Sequence, residues 1–494
     1  MIRKIRITLA CISFVLVTLL FLDFTGTLHG WFGWLAKIQL MPALLAVNVG
    51  VVAALAALTL LFGRIYCSVV CPLGIFQDVV SRIAGRRKKN RFSYSPSLAW
   101  LRYAVLAIFA IAFAAGVSSA VALLEPYSAY GRMASNLLAP LYQWGNNALD
   151  YLSGRVGSYA FYPVEVWLKG GLTLAIAAGF FALLAILAWR NGRTYCNSIC
   201  PVGTALGFAA RFSLFKPVID AEKCNGCGLC ARNCKASCID HKRHRVDYSR
   251  CVTCLDCMGK CRQKALAYAI PKCPSRAGRE KTEADGSSRR GFLSIAALFA
   301  FHSALKAQQA AADGGLATIE AKKIPLRETS LVPAGAQGLR HLAKHCTACQ
   351  LCVAVCPNQV LRPSSGWAKL MQPEMSFERG YCRPECVKCS EVCPTAAIKR
   401  ITREEKTAVQ IGHAVWIKAN CVVVRDEVTC RSCERHCPTG AIQLVPQDAG
   451  NPRSLKLPAI DTERCIGCGA CENRCPARPF SAIYIEGHER HRSI

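Results

Sequence analysis

The spacing of the 31 cysteines constrains this 494-residue chain more than any other feature. Two runs read Cys224-x-x-Cys227-x-x-Cys230-x-x-x-Cys234 and Cys251-x-x-Cys254-x-x-Cys257-x-x-x-Cys261. Three thiolates at this interval wrap three corners of a [4Fe–4S] cube, and the distant fourth usually serves the partner cluster. The spacing therefore predicts one centre on Cys224, Cys227, Cys230 and Cys261, and another on Cys251, Cys254, Cys257 and Cys234. Lys235 and Arg262 stand where a proline is usual, so Cys238 competes with Cys234 as a ligand.

Four further groups follow. They are Cys346, Cys349, Cys352 and Cys356; Cys382, Cys386, Cys389 and Cys393, with one extra residue in the first gap; Cys421, Cys430, Cys433 and Cys437, with a long first gap; and Cys465, Cys468, Cys471 and Cys475. All four end in Cys-Pro, and the sequels to Cys393 and Cys437 look like the turn that closes a ferredoxin half. Spacing leaves open whether neighbouring groups pair or the outer two enclose the inner two. Zinc ribbons use Cys-x-x-Cys pairs without the third thiol and the trailing x-x-x-Cys-Pro. An odd cysteine count cannot pair completely into disulfides, and the chain is too long for a small secreted disulfide scaffold. The 24 thiols thus predict six [4Fe–4S] clusters, which leaves Cys11, Cys238 and Cys273 without a role beside the repeat described next.

The remaining four thiols lie in a short duplication. Gly63-Arg-Ile-Tyr-Cys67-Ser-Val-Val-Cys71-Pro-Leu-Gly74 returns as Gly192-Arg-Thr-Tyr-Cys196-Asn-Ser-Ile-Cys200-Pro-Val-Gly203, with seven positions identical. Thiols four apart share a helical face, and Pro72 and Pro201 redirect the backbone after them. Cys67, Cys71, Cys196 and Cys200 are candidate redox or metal thiols; a further metal or cluster, a disulfide and electron exchange all stay open.

Composition places this duplication in a membrane domain. The chain is 52% hydrophobic and 19% charged, and four apolar runs stand out at Ile5 to Phe24, Leu40 to Phe62, Leu98 to Leu124 and Trp167 to Trp189. A run of 23 residues reaches about 34 Å as helix, enough for a hydrocarbon core of about 30 Å. Arg3, Lys4 and Arg6 precede the first run, and Arg82, Arg86, Arg87, Lys88, Lys89 and Arg91 crowd the loop after the second. The stretch from Glu125 to Val166 carries few basic residues, so both the N-terminus and the chain after the fourth run are predicted to be cytoplasmic. No histidine lies within the four runs and Cys-x-x-Cys-His is absent, which removes membrane haem.

Between the cysteine-rich regions, Ser288-Arg289-Arg290-Gly291-Phe292-Leu293 opens an apolar stretch that ends at Leu305, followed by small residues up to Ala312. This has the form of a twin-arginine export signal. Its apolar part is short for a span and typical of a signal. Folded export suits a domain whose clusters must be assembled under reducing conditions. The predicted organisation is an α-helical membrane domain of four spans (1–215) with α+β ferredoxin-like polycluster domains: a cytoplasmic two-cluster ferredoxin (216–274) and a periplasmic four-cluster ferredoxin (313–494), joined by the signal or crossing segment (275–312).

On these motifs the first 275 residues resemble NapH and MauN, and the chain from about residue 287 resembles NapG and MauM, as a natural fusion of the two partners. The resemblance implies a bacterial inner-membrane quinol dehydrogenase module that feeds electrons from membrane quinol to a periplasmic reductase, such as nitrate reductase, or to a c-type cytochrome. It also implies export by the twin-arginine machinery. The alternative it leaves open is a maturation factor that reduces copper or another metal centre. Asp78, Arg64 and Arg193 lie near the depth of a quinone head, where charged residues are more often interfacial anchors. His241, His244 and His345 read as solvated or cluster-flanking residues and not as ligands. There is no dinucleotide fingerprint and no P-loop. The net charge of +30 needs no nucleic-acid partner: membrane topology accounts for part of it, and six clusters offset about −12.

Overall fold

The computed structural model describes residues 2–87, 92–270 and 320–494, except 449, 452 and 453, with the backbone of 312–313 and 317–318. The twin-arginine segment, its apolar stretch and Cys273 lie outside the described residues.

The apolar runs form helices, but not all unbroken. Helices α1 (Ile2–Leu22), α2 (Val49–Phe62), α3 (Pro72–Arg87), α4 (Ala99–Ala114), α5 (Pro126–Met133), α6 (Gly171–Asn191) and α7 (Pro201–Ala210) build one body. Among the described residues only α1 and α6, of 21 residues each, are long and apolar enough to cross a membrane by themselves. The second run splits into Leu40–Leu45 and α2, because Val47 turns left-handed (φ 54°) and the Asn48 side chain caps Val51 N at 3.2 Å. Gly116 (φ 72°) likewise separates α4 from Ser118–Leu124. Hydropathy averages over such breaks, since one capping residue or glycine barely changes the mean of a run.

The stretch after Glu125 is also more than a connecting loop. Pro126 occupies the first turn of α5, and the Glu125 carboxylate accepts from Tyr127 N at 3.1 Å and from Ser128 N. This is a helix start written in the sequence as Glu-Pro. Every residue of α5 is buried, so Glu125 and Arg132 lie inside the helical body and not among loop charges.

The outer surface of this body is apolar. Ile5, Leu9, Ile12 and Val15 on α1, Ile108 and Ile111 on α4, and Leu183 and Ile186 on α6 are exposed. The apolar windows of α1 and α6 are only 28% and 22% buried, unlike core helices of a water-soluble domain.

The two cysteine-rich regions dock on opposite ends of the helical body. Strand β1 (Lys216–Ile219) pairs antiparallel with β4 (Leu266–Ala269), and β2 (Ile239–Asp240) with β3 (Arg245–Val246). This first region meets the start of α1 through Arg3 Nε to Asp256 (2.8 Å). At the end of α2 it meets the body through Tyr268 Oη to Phe62 O (2.9 Å), and at the start of α4 through Arg102 Nη2 to Ser249 O (3.1 Å). The end of α6 is held by Arg193 N to Lys235 O (2.9 Å). The second region pairs β5 (Leu361–Pro363) with β6 (Pro373–Met375), β7 (Val409–Trp416) with β10 (Ile483–Ser493), and β8 (Ile442–Pro446) with β9 (Lys456–Ile460), all antiparallel. It meets the far ends of the same helices: Lys388 Nζ donates to Thr25 O just past α1 (3.0 Å), and Gln372 Nε2 to Ser118 Oγ just past α4 (2.7 Å). Arg379 pairs with Glu165 ahead of α6.

Candidate iron–sulfur centres

Four of the six cysteine groups share one backbone device. The residues on either side of the middle cysteine are left-handed: Gly226 and Gly228 (φ 68° and 69°), Thr253 and Leu255 (50° and 59°), Ala348 and Gln350 (53° and 66°), and Gly467 and Gly469 (76° and 78°). Left-handed backbone at a residue with a Cβ costs roughly 1–2 kcal/mol, and such strain is kept where it shapes a site. Here it curls each loop around its three thiols. The groups with irregular gaps, Cys382 to Cys393 and Cys421 to Cys437, do not repeat this pair of turns.

The fourth thiols cross over between neighbours. Cys257 lies within electrostatic reach of Cys254, Cys234 and Cys251, and Cys230 of Cys224 and Cys227. Cys261 packs in the same small core as Cys230. Cys238 sits 3.5 Å from Cys234 and also contacts Cys251, and its hydrogen bond holds the Cys234 thiol below its ordinary range. In the second region Cys346, Cys349 and Cys352 stand with Cys393, while Cys382, Cys386 and Cys389 stand with Cys356. Cys465, Cys468 and Cys471 stand with Cys437, and Cys430 and Cys433 with Cys475, beside which Cys421 packs. Neighbouring groups pair, therefore, and the outer two do not enclose the inner two. Cys468 also lies near Cys382, and Cys382 N donates to Cys468 O (3.0 Å), so the two pairs adjoin.

These sets suit a thiolate-bound cluster. Burial pushes the Cys254, Cys349, Cys433 and Cys468 thiols up to about 12, so they stay protonated near neutral pH unless a metal takes the proton's place. Backbone N–H groups already point at sulfur: Ala348 N to Cys346 (3.4 Å), Ile398 N to Cys393 (3.4 Å), Ala441 N to Cys437 (3.2 Å) and Ala482 N to Cys475 (3.3 Å). The Ile398 and Ala441 donors come from the turns after Cys393-Pro and Cys437-Pro. Among the described residues no three His, Cys, Asp or Glu side chains close on a single metal ion.

Cys67, Cys71, Cys196 and Cys200 are all at most 4% exposed and lie within electrostatic reach of one another, deep in the helical body. Gln77 Nε2 lies 3.1 Å from Cys196 Sγ, Gly203 N 3.3 Å from Cys200 Sγ, and Arg64 Nη2 3.8 Å from Cys67 Sγ. Arg193 makes a two-point pair with Asp78 at 2.9 and 2.8 Å. Asp78 also meets Arg6 (3.6 Å) and Lys235 (3.5 Å), and Lys235 bridges to Asp256 (2.8 Å). Arg64 and Arg193 are therefore completely buried structural groups and not interfacial anchors.

A cavity of about 270 Å³ opens beside this network, with Ile7, Val79 and Ile83 as apolar wall and Arg6, Asp78 and Lys235 at its polar end. Gln77 and Glu125 did not stand out in the sequence, and Lys235 stood out only as the residue in place of a proline after Cys234. Gln77 lies three residues beyond the first copy of the repeat and is not matched in the second, so no sequence signal marks it; the Glu-Pro start of α5 is the signal that could have found Glu125. His345 stacks on His341 at 4.3 Å, and its Nδ1 lies 3.0 Å from the His341 carbonyl oxygen.

Comparison with known proteins agrees with this chemistry. A 4Fe-4S binding domain matches residues 44–91 and 172–219, each containing one copy of the repeat, and a 4Fe-4S dicluster domain matches residues 428–478. The ferredoxin-type protein NapF of Escherichia coli is 30% identical over 149 residues, which is 30% of this chain and 81% of NapF. The methylamine utilization ferredoxin-type protein MauM of Methylobacillus flagellatus is 29% identical over 166 residues, 33% of this chain and 70% of MauM. An uncharacterized protein of Methanocaldococcus jannaschii is 24% identical over 275 residues, 54% of this chain and 86% of that protein. No solved structure matches. With its 4Fe-4S binding domains and its match to most of NapF, the chain belongs to the ferredoxin-type iron–sulfur electron-transfer proteins, the family of NapF and MauM.

Proposed function

We propose that the chain is a membrane-bound quinol dehydrogenase module, a fusion of a NapH/MauN-like half with a NapG/MauM-like half, that passes electrons from membrane quinol to a periplasmic reductase or c-type cytochrome. The observation that carries this reading is the docking of two cysteine-rich regions on opposite ends of a helical body whose outer surface is apolar. The 24 cysteines of the six groups would hold six [4Fe–4S] clusters, and clusters of this kind supply one-electron steps at potentials tuned by hydrogen bonds and burial. By the distribution of basic residues the first region faces the cytoplasm, and by the twin-arginine motif ahead of it the second faces the periplasm. Twin-arginine export directed by Arg289 and Arg290 delivers the second.

The chain's own residues provide for a quinol at the cavity between α1 and α3. Ile7, Val79 and Ile83 give it an apolar wall on the lipid side, while Arg6, Asp78 and Lys235 offer polar contacts to the ring oxygens. Lys235 follows Cys234 directly, so the cavity abuts the set of Cys251, Cys254, Cys257 and Cys234. On becoming quinone a quinol releases two electrons and two protons; the electrons leave singly and the protons pass to water.

The test uses the purified, cluster-loaded full chain and a menaquinol or ubiquinol analogue, followed by EPR. Reduced-cluster signals are expected, and Val79→Trp, which fills the cavity, lowers their rate of appearance at least tenfold. Spectra that stay silent with quinol while dithionite still reduces the protein count against the reading.

A further inference from the structure

We propose that Cys67, Cys71, Cys196 and Cys200 form one thiolate pocket, shared by the two repeats, that binds a single iron–sulfur centre in addition to the six ferredoxin-type sets. Two separate two-thiol sites are the alternative that the duplication by itself suggests, and the geometry argues against it. The repeats are cross-braced. Arg64 of the first donates to Cys196 O of the second at 3.2 Å, and Arg193 of the second donates to Cys67 O of the first at 2.6 Å. Gly74 and Gly203 close the same joint, since a Cβ on either would run into the carbonyl oxygen of Cys67 or Cys196 and the arginine that crosses to it. Neither motif is complete without the other.

Charge points to an anion in this pocket. Arg64 is completely buried, yet among the described residues it makes no ion pair with a carboxylate. Its acceptors are Asn197 Oδ1 (2.9 Å), the Ser249 and Cys196 carbonyls (both 3.2 Å), the more distant Arg250 carbonyl (3.5 Å) and Cys67 Sγ (3.8 Å). A guanidinium taken out of water without a counter-charge is strongly disfavoured. Four thiolates on an iron–sulfur core carry net negative charge and supply a partner on the side of Arg64 that faces Cys67 and Cys196, as the set that includes Cys251 does on its other side. Four neutral thiols or two disulfides do not. The donors from Gln77 and Gly203 to Cys196 and Cys200 are of the kind that stabilise sulfur ligands. Both repeat-bearing segments match a domain described as 4Fe-4S binding, in agreement with iron.

The pocket also lies between the two docked regions. On one side Arg64 holds Ser249 O, two residues before Cys251. On the other, Tyr195 lies within electrostatic reach of Cys200 and of the buried Glu125 and Arg132, and Gly131 backs directly onto Cys349 O. The centre would thus stand between the set at Cys251 and the set at Cys349. This inference goes beyond the quinol reading and does not depend on it, because an inactive quinol assay leaves the metal content unchanged.

The experiment measures iron, copper, zinc and acid-labile sulfide per full-length chain, purified anaerobically from membranes, together with EPR after dithionite reduction. Three variants are compared: Cys67→Ser with Cys71→Ser, Cys196→Ser with Cys200→Ser, and all four. Each pair is expected to lose the same iron, the same sulfide and the same EPR feature, and the fourfold variant to lose no more, with the other cluster signals retained. Additive losses, unchanged iron and sulfide, or copper or zinc in place of iron each overturn the proposal. Should the variants not accumulate, alkylation of the native wild-type chain decides. All four thiols are expected to be protected together and exposed together after cluster destruction, and a disulfide within either motif refutes the shared centre.

Discussion

The two repeats share seven of twelve residues and the same thiol spacing, yet their arginines are treated differently. Arg193 has a carboxylate, Asp78, held at two points. Arg64 has only neutral acceptors and a sulfur. The residue in register with Asp78 in the second copy is Gly207, where a Cβ would strike Ser249 O and the Arg102 guanidinium that holds it. In the second copy the first cysteine-rich region packs against α7 and leaves no room for a side chain at this position. One copy thus fixes the joint through an ion pair and the other through the backbone of a docked domain. The difference teaches that two copies with matched thiols hold their buried arginines by different means, one on a carboxylate and the other on neutral acceptors and a sulfur.

Three substitutions break or sharpen that contrast. The largest effect is expected from Arg193→Met, which removes the two-point partner of a buried carboxylate. Losing one partner of such a pair costs 3–5 kcal/mol in general, and about 3 kcal/mol is expected here because Arg6 and Lys235 remain near Asp78. Thermal unfolding should register most of it with and without iron, because the lost pair with Asp78 does not depend on metal. Arg64→Met is expected to cost roughly 1.5–3 kcal/mol in the iron-loaded chain, the worth of hydrogen bonds to a charged group, and to be neutral or stabilising after iron depletion. Equal destabilisation in both states would remove the reason to place an anion beside Arg64. The smallest effect is Gln77→Leu, which copies the residue in register in the second repeat, Leu206. Loss of one N–H to Cys196 sulfur is worth about 1 kcal/mol, on the order of 40 mV for a one-electron couple. Redox titration should show the potential falling, with iron content unchanged.

Much of the chemistry was legible in the spacing of the cysteines. The crossing of Cys234 to the set of Cys251, Cys254 and Cys257 follows from ferredoxin spacing, because a loop that wraps three corners of a cube cannot also reach the fourth. The turns after Cys393 and Cys437 were legible too, in their Cys-Pro-Thr sequels. The left-handed residues Thr253, Leu255, Ala348 and Gln350 were not, since none is glycine and each is held by the loop it helps to shape. Glu125 and Arg132 read as loop charges because a composition count cannot see that α5 folds back into the helical body. The breaks at Val47 and Gly116 were hidden by the apolar mean of their runs.

By itself, then, the amino-acid sequence determined how many thiol groups there are, which three thiols of each compact group stand together, and that the repeat carries two pairs of the same kind. Those are local properties, dictated by how far a few residues of chain can reach. Tertiary structure alone decided that neighbouring groups pair in the second region, that the two cysteine-rich regions occupy opposite ends of the helical body, and that the repeat thiols meet as four. Each of these joins residues far apart in the chain, and such contacts are set by which surfaces bury one another and by which buried charges find a partner. Arg64 shows the limit most plainly: its identity and its place in the repeat are written in the sequence, but only the fold reveals that no carboxylate comes to meet it among the described residues.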